Sequence, residues 1–342
     1  MNSDNNYTFC GFPLTSDYND LKKNLMNKKE ANKASNKILD KTRQYDFDLE
    51  KPGIVRDGTL TTNIDGLRYD CLIKRHETKK LYVFLHGGRW ISADKLAEIP
   101  SFSKWQYYPI LDGNMLCIED PMYHYYADLV TGWFYGTSEH NYRESTAKLI
   151  MKIAKLMNVE NKNIVIFSSR AGTSSSMHIG SFIKECTVIA IDPIIDLEKA
   201  GEGSKFETIT GINLKQKDAF GRNNLREMLL ESRDTHFVLL CNILSKDIYE
   251  KQILPLCDAA NIAPKMGFNP IKNIMLWLYE APGAPKPQNS SDDEDLLRMI
   301  LYTADKIKSN DVSGCGVLCD MVNSIWYTHY AQKRRIHELS KH

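Results

Sequence analysis

Residues 164–173 read IVIFSSRAGT. A four-residue apolar run, Ile164 to Phe167, gives way to small residues and then to Gly172, after which the pattern is helical over about 173–184. A short apolar run bounded in this way reads as a buried strand that turns sharply into a helix. Where strand and helix nearly touch, the residues two before and two after the bend must be small. Ser168 and Gly172 meet that rule only if Arg170 is the central residue. Centring the bend on Ser169 would put the bulky Phe167 in a flanking place. The bend is therefore predicted to carry a guanidinium.

Runs of the same kind recur on both sides. They are LYVFL (81–85), NMLCIED (114–120), TVIAIDP (187–193), HFVLLCN (236–242) and NIMLWLY (273–279). Helical spacing lies between them, most clearly at 142–157, where Leu149, Ile150, Ile153, Leu156 and Met157 share a face. Apolar strands alternating with helices predict a mostly parallel sheet covered on both faces, a three-layer α/β fold whose ligands sit at the carboxyl ends of the strands. Upstream, TLTTNIDGLRYDCLIK gives two alternating segments around Gly66. Three regions follow from this pattern. Residues 1–50, Lys- and Asn-rich, read as a polar helical extension; residues 51–310 form the α/β domain; residues 311–342, with Val317, Met321, Ile325 and Trp326 at helical spacing, read as a C-terminal helical extension. The segment APGAPKPQNSSDDED (281–295) is the clearest loop, and DDEDLLRMILYTADKIK reads as a closing helix.

Over 342 residues the formal net charge is +1, which gives no field suited to nucleic acid or an anionic membrane surface. No apolar run approaches the roughly 20 residues that span a bilayer, and the polar start lacks a signal peptide's apolar core. The eight cysteines are scattered and several lie inside apolar runs, which fits reduced thiols in a cytoplasm. Cys315 and Cys319 have no second ligand pair beside them, so no metal site is expected.

Three features fall at strand ends in a set order. FLHGGRW (84–90) puts Gly87 and Gly88 after a strand, where backbone N–H groups can approach a developing oxyanion. The bend at 168–172 comes second. In CNILSKDIYE (241–250), Asp247 follows a strand where an acid would orient a histidine.

This ordering resembles the α/β-hydrolase fold. More narrowly, FLHGGR, IEDPMYHYYADLVTGWFYGT (118–137), FSSRAGTSSSMHIG (167–180) and VIAIDPIIDL (188–197) are similar to the XcbB/CpsF type of capsular-polysaccharide biosynthesis proteins and to related bacterial glycan O-acetyltransferases. The resemblance covers about residues 67–300. It implies a cytoplasmic bacterial protein of capsule or surface-glycan assembly, peripheral to an assembly complex. It also implies Ser–His–Asp acyl transfer in the active relatives, with a glycan or glycan precursor and an acyl donor as partners, and no cofactor.

The sequence departs from that pattern. The nucleophile position falls on Arg170, which stays protonated and cannot attack an acyl carbon. No histidine occurs in residues 280–300, where one should follow the last strand. Two readings stay open. In the first the chain is an acyltransferase or esterase with a degenerate triad, for which Ser169, Asp247 and His86 are the candidate catalytic residues and Gly87, Gly88 and Ala171 the oxyanion donors. Ser174, His124 and His329 are the poorer substitutes. In the second it is a non-catalytic protein of the same fold. Arg89 and Arg170, beside a glycine turn and a helix N-terminus, then bind an anionic glycan or an assembly partner. The aromatics between Trp105 and Tyr135 suit either a sugar cleft or core packing. Asp120 and Asp192, each before a proline, read as turn formers before acids.

Overall fold

The computed structural model describes residues 8–9, 12–13, 44–49, 55–89, 102 and 104–280. The expected closing helix, the 281–295 loop, the C-terminal extension, Cys315, Cys319 and His329 lie outside the described residues, as does most of the N-terminal extension.

The strands are β1 (Thr8–Phe9), β2 (Phe12–Pro13), β3 (Gln44–Asp46), β4 (Gly58–Ile64), β5 (Leu67–Lys74), β6 (Leu81–Leu85), β7 (Asn114–Ile118), β8 (Ile164–Ser169), β9 (Thr187–Ile191), β10 (His236–Asn242), β11 (Gly267–Ile271) and β12 (Ile274–Tyr279). β1 and β2 pair with each other; the other ten form one sheet in the order β11-β12-β10-β9-β8-β6-β7-β5-β4-β3. β7, β6, β8, β9, β10 and β12 are mutually parallel, and β5 runs against both β4 and β7. The β4–β5 hairpin turns on Asp65 and Gly66 at φ 51° and 79°, the Asp-Gly signature of a two-residue turn. The strands quoted from the sequence are all present. β3 already belongs to the sheet although it lies inside the segment read as an N-terminal extension, and β11 falls in a stretch read as helix and loop.

Alternate side chains sort the apolar strands into two cores. Val83, Leu85, Ile164, Ile166, Val188 and Ala190 face one side, where α1 (Tyr142–Leu156) and α2 (Gly172–Ser181) contribute Leu149, Ile150, Ile153, Met177 and Ile179. Tyr82, Phe84, Val165, Phe167, Ile189 and Ile191 face the other, against Phe102, Tyr107 and Leu111 around the 3-10 turn Trp105–Ile110. Burial on both faces is why these strands read as continuous apolar runs and not as alternation. α1 begins on an Asn141 cap that accepts the Arg143 N–H, with Glu144 in its first turn and Lys155 in its last, matching the helix dipole.

The position of the site follows from the topology. From β6 the chain passes to β7 on one side, whereas from β8 it passes to β9 on the other. The crevice between the ends of β6 and β8 is therefore the topological switch point, the place where ligands bind in open parallel sheets.

Candidate functional site

Two loops meet at the switch point. The first, His86–Arg89, follows β6; the second is the bend after β8. Arg170 occupies that bend at φ 50°, a left-handed conformation uncommon outside glycine and stored typically at functional turns. Its N–H donates to the Ile191 carbonyl at 2.8 Å and its carbonyl accepts from Thr173 N at 3.0 Å. The Thr173 hydroxyl also donates to that carbonyl while accepting from Ile194 N at 2.7 Å. These contacts brace the bend, and the Arg170 side chain is exposed. Arg170 is thus the left-handed residue between β8 and α2.

Small residues at the bend are required by proximity. A Cβ on Gly87 would stand 3.2 Å from the Gly172 nitrogen and 3.4 Å from the Ser169 carbonyl; one on Gly172 would stand 3.1 Å from the Gly87 Cα. The two loops touch backbone to backbone. Gly88 lies against Thr131, whose hydroxyl would be 3.0 Å from an added Cβ. Ala171 precedes α2, and no side chain caps that helix.

The other candidates are placed as follows. Ser169 ends β8 and is half-buried. Ser174 is fully buried and accepts from Arg143 Nη2 at 3.2 Å. His86 is buried edge-on against Tyr123, with ring centroids 5.5 Å apart and the Tyr123 hydroxyl 3.5 Å from Nδ1. Burial, helped by the Arg89 charge, lowers its pKa to about 4, so His86 is neutral at pH 7. Asp247 is 85% exposed and paired with Lys251 Nζ at 2.7 Å. No hydrogen bond joins Ser169 or Asp247 to His86 among the described residues. Arg89 is drawn inward. Its Nε donates to Leu129 O at 2.9 Å, its Nη2 to Tyr126 O at 3.2 Å and also to Ala127 O, and its guanidinium lies 4.2 Å over the Tyr123 ring. Arg89 therefore staples the loop after β7, while Arg170 faces solvent. His124 Nε2 lies 3.2 Å from Asp70 Oδ2.

The two aspartates before prolines differ. Both Asp120 oxygens accept backbone N–H groups, from Met122 at 3.0 Å and Phe134 at 2.9 Å, and they organise the turn as expected. Asp192 follows β9 at φ 51°, one residue past the Ile191–Ser169 pair, as Arg170 follows β8. Its Oδ1 accepts from Asn242 N at 3.2 Å, while the buried Oδ2 has no hydrogen-bond partner among the described residues. Burial pushes its pKa up to about 6, although Asn242 N–H and the Arg170 charge oppose the shift. Below an unfolded-state pKa of about 3.9 both states are protonated and carry no penalty. Between that value and about 6 the unfolded chain gives up its proton first, so stability falls as pH rises; above it the penalty is constant. Two pH units correspond to about 3 kcal/mol. Asp192→Asn is expected to raise stability at pH 7.5 by about 1–3 kcal/mol and to change little near pH 4. Urea denaturation at the two pH values checks this; equal losses at both would show that the carboxylate is not the costly group.

Sequence reasoning missed a buried polar cluster behind the loop after β7. Arg143, fully buried, donates to Trp133 O at 3.0 Å, Arg222 O at 3.2 Å and Ser174 Oγ at 3.2 Å, and lies 3.3 Å from His178 Nδ1. Arg222, also buried, makes a bidentate pair with Asp218 at 2.9 and 2.6 Å and donates to Tyr135 O at 2.5 Å and Thr137 O at 2.8 Å. The i, i+4 spacing of Asp218 and Arg222 was the signal available. Of the nine aromatics between Trp105 and Tyr135, five (Tyr107, Tyr123, Trp133, Phe134 and Tyr135) are buried in the cores. They serve packing.

Among the described residues no group of three metal-ligating side chains comes together, and no helix is long and apolar enough to cross a membrane. The five described cysteines are buried. No family model matches the sequence, and no curated protein matches it. Several solved structures are similar in shape. The capsule O-acetyltransferase of Neisseria meningitidis serogroup A is 17% identical, with a TM-score of 0.48, over 72% of this chain and 96% of that one. The Glycosylation Associate Protein (Gap123) complex from Streptococcus agalactiae is 14% identical, with a TM-score of 0.47, over 73% and 46%. Prolyl oligopeptidase B from Galerina marginata, in its H698A mutant, is 10% identical, with a TM-score of 0.50, over 74% of this chain and 37% of that one. The last of these is a likeness of fold. With the sheet order and the braced bend, it makes the architecture that of an α/β hydrolase.

Proposed function

We propose that this chain serves the biosynthesis of a capsular or other surface polysaccharide, and that its bend binds an anionic group of a glycan or glycan precursor in place of forming an acyl-enzyme. One observation carries this reading: Arg170 holds the position and the left-handed backbone of a nucleophile, with its side chain exposed. A guanidinium cannot attack a carbonyl, but beside the uncapped N-terminus of α2 it suits phosphate or carboxylate. The glycan context rests on the resemblance of FLHGGR, FSSRAG and the 118–137 segment.

A second reading keeps acyl chemistry, with Ser169, His86 and Asp247 taking an acyl donor. The retained approach of Gly87 to Gly172, next to Ser169, favours it. The outward, Lys251-paired Asp247 does not.

One pair of experiments separates them. Calorimetric titration with glucose 1-phosphate is expected to show binding that weakens roughly 10- to 100-fold in Arg170→Ala, the worth of a charge-assisted hydrogen bond. Affinity unchanged by that substitution would dismiss the anion site. A fluorophosphonate probe is expected to leave the protein unlabelled; labelling that disappears in Ser169→Ala would establish the acyl reading instead.

A further inference from the structure

A cavity among the described residues lies away from the bend. A space of about 540 Å³ opens between the loop after β7 and the segment 210–223, and none of residues 86–89 or 168–172 lines it. Its floor is built from groups already bonded to one another or to backbone carbonyls. The Tyr135 hydroxyl donates to Asn223 Oδ1 at 2.6 Å, Asn223 Nδ2 donates to Gln216 O at 2.8 Å, and the Arg222 guanidinium is spent on Asp218, Tyr135 O and Thr137 O. The floor is therefore rigid and close to neutral. Its walls carry uncommitted polar groups. The Gln216 side-chain amide, Asn213 Nδ2, the Ser138 hydroxyl and the Tyr126 hydroxyl make no hydrogen bond among the described residues.

We propose that this cavity is a saccharide site that holds an uncharged sugar unit by its hydroxyls. Amides and hydroxyls offer a donor and an acceptor on one side chain, which matches the donor–acceptor character of a sugar hydroxyl. Other ligand classes fit less well. A nucleotide or sugar phosphate would need a cation with several free donors, and four of the five N–H groups of the Arg222 guanidinium are already bonded; Lys217 at the rim is a single exposed charge. An apolar ligand would find little beyond Ile212, Ala219 and the Tyr126 ring. The volume lies within the usual range for small-molecule sites. The half-buried Tyr126 ring supplies a surface against which a sugar face can lie, since Tyr135 is already covered by Arg222 at 4.0 Å and Phe206 at 5.3 Å. This site goes beyond the anion reading of the bend and does not depend on it. The same loop serves both places, because Arg89 beside the bend holds the Tyr126 and Ala127 carbonyls.

Saturation-transfer NMR on the full chain, with lactose, maltose and N,N′-diacetylchitobiose as probes, tests the proposal. Transfer to at least one probe is expected, abolished in Ala219→Trp, which fills the cavity. It should weaken roughly two- to tenfold in affinity in Gln216→Ala, the worth of a neutral hydrogen bond, and stay unchanged in Arg170→Ala. Both cavity substitutions fall on exposed residues, and Gln216→Ala decides the matter should the tryptophan variant not fold. No transfer from any of the three probes would overturn the site. Transfer that survives both cavity variants, or that is lost only in Arg170→Ala, would place the sugar elsewhere and overturn it equally.

Discussion

Gly136→Ala is expected to cost on the order of 4 kcal/mol or more, among the largest effects of any single substitution. A Cβ at this position would stand 2.2 Å from the His140 carbonyl oxygen, 2.7 Å from the Tyr142 ring and 2.9 Å from the Tyr142 nitrogen. Two of these three are backbone atoms and cannot swing aside. Gly136 also sits at φ 89°, which charges alanine a further 1–2 kcal/mol or so before any collision. The strain would spread along a connected path. Gly136 bridges Asn141, the cap of α1, and Thr137 N donates to His140 O at 3.0 Å. Moving the His140 carbonyl therefore loosens the start of α1, and with it Arg143. Urea unfolding measures the loss, and a midpoint within the equivalent of about 1 kcal/mol of the parent would mean that the turn relaxes freely.

Arg222→Met should be nearly as damaging, at about 3–5 kcal/mol, because it strands the partner of a buried ion pair. Asp218 is 8% exposed at its side chain and Arg222 1%. Burial alone would raise the Asp218 pKa; the Arg222 hydrogen bonds and charge outweigh it and hold the carboxyl below its usual value. Without Arg222 the carboxylate loses its counter-charge, and the Tyr135 and Thr137 carbonyls lose their donor. Adding Asp218→Asn should recover part of the loss, since a neutral amide is cheaper to bury than an unpaired charge. The cycle is diagnostic. Costs that simply add would show that the two side chains are not coupled, against the 2.6 Å contact.

The sheet was legible in the sequence because strands buried on both faces leave uninterrupted apolar runs, as LYVFL, TVIAI and HFVLLCN do. β11 escaped notice because GFNPI has neither a run nor clean alternation, and it is held by its antiparallel pairing with β12. At the site, the bend was readable from Ser168 and Gly172, since steric demand acts on near neighbours in the chain. The fate of Arg89 was not readable. Three carbonyls about 40 residues away decide it, and sequence records no trace of a carbonyl's direction. Asp247 lies between. Its place after β10 was visible, and so was Lys251 four residues on, the partner that holds it outward.

The flanks of the sheet bear on how this protein behaves at high concentration. Among the described residues, Pro270 stands within β11 and has no amide proton to offer an incoming strand, and β3 at the opposite border is three residues long. A missing donor on one border and a truncated ladder on the other give a second copy little to zip onto. Strand-by-strand polymerisation, the standing hazard of a wide sheet, is thereby discouraged at both borders.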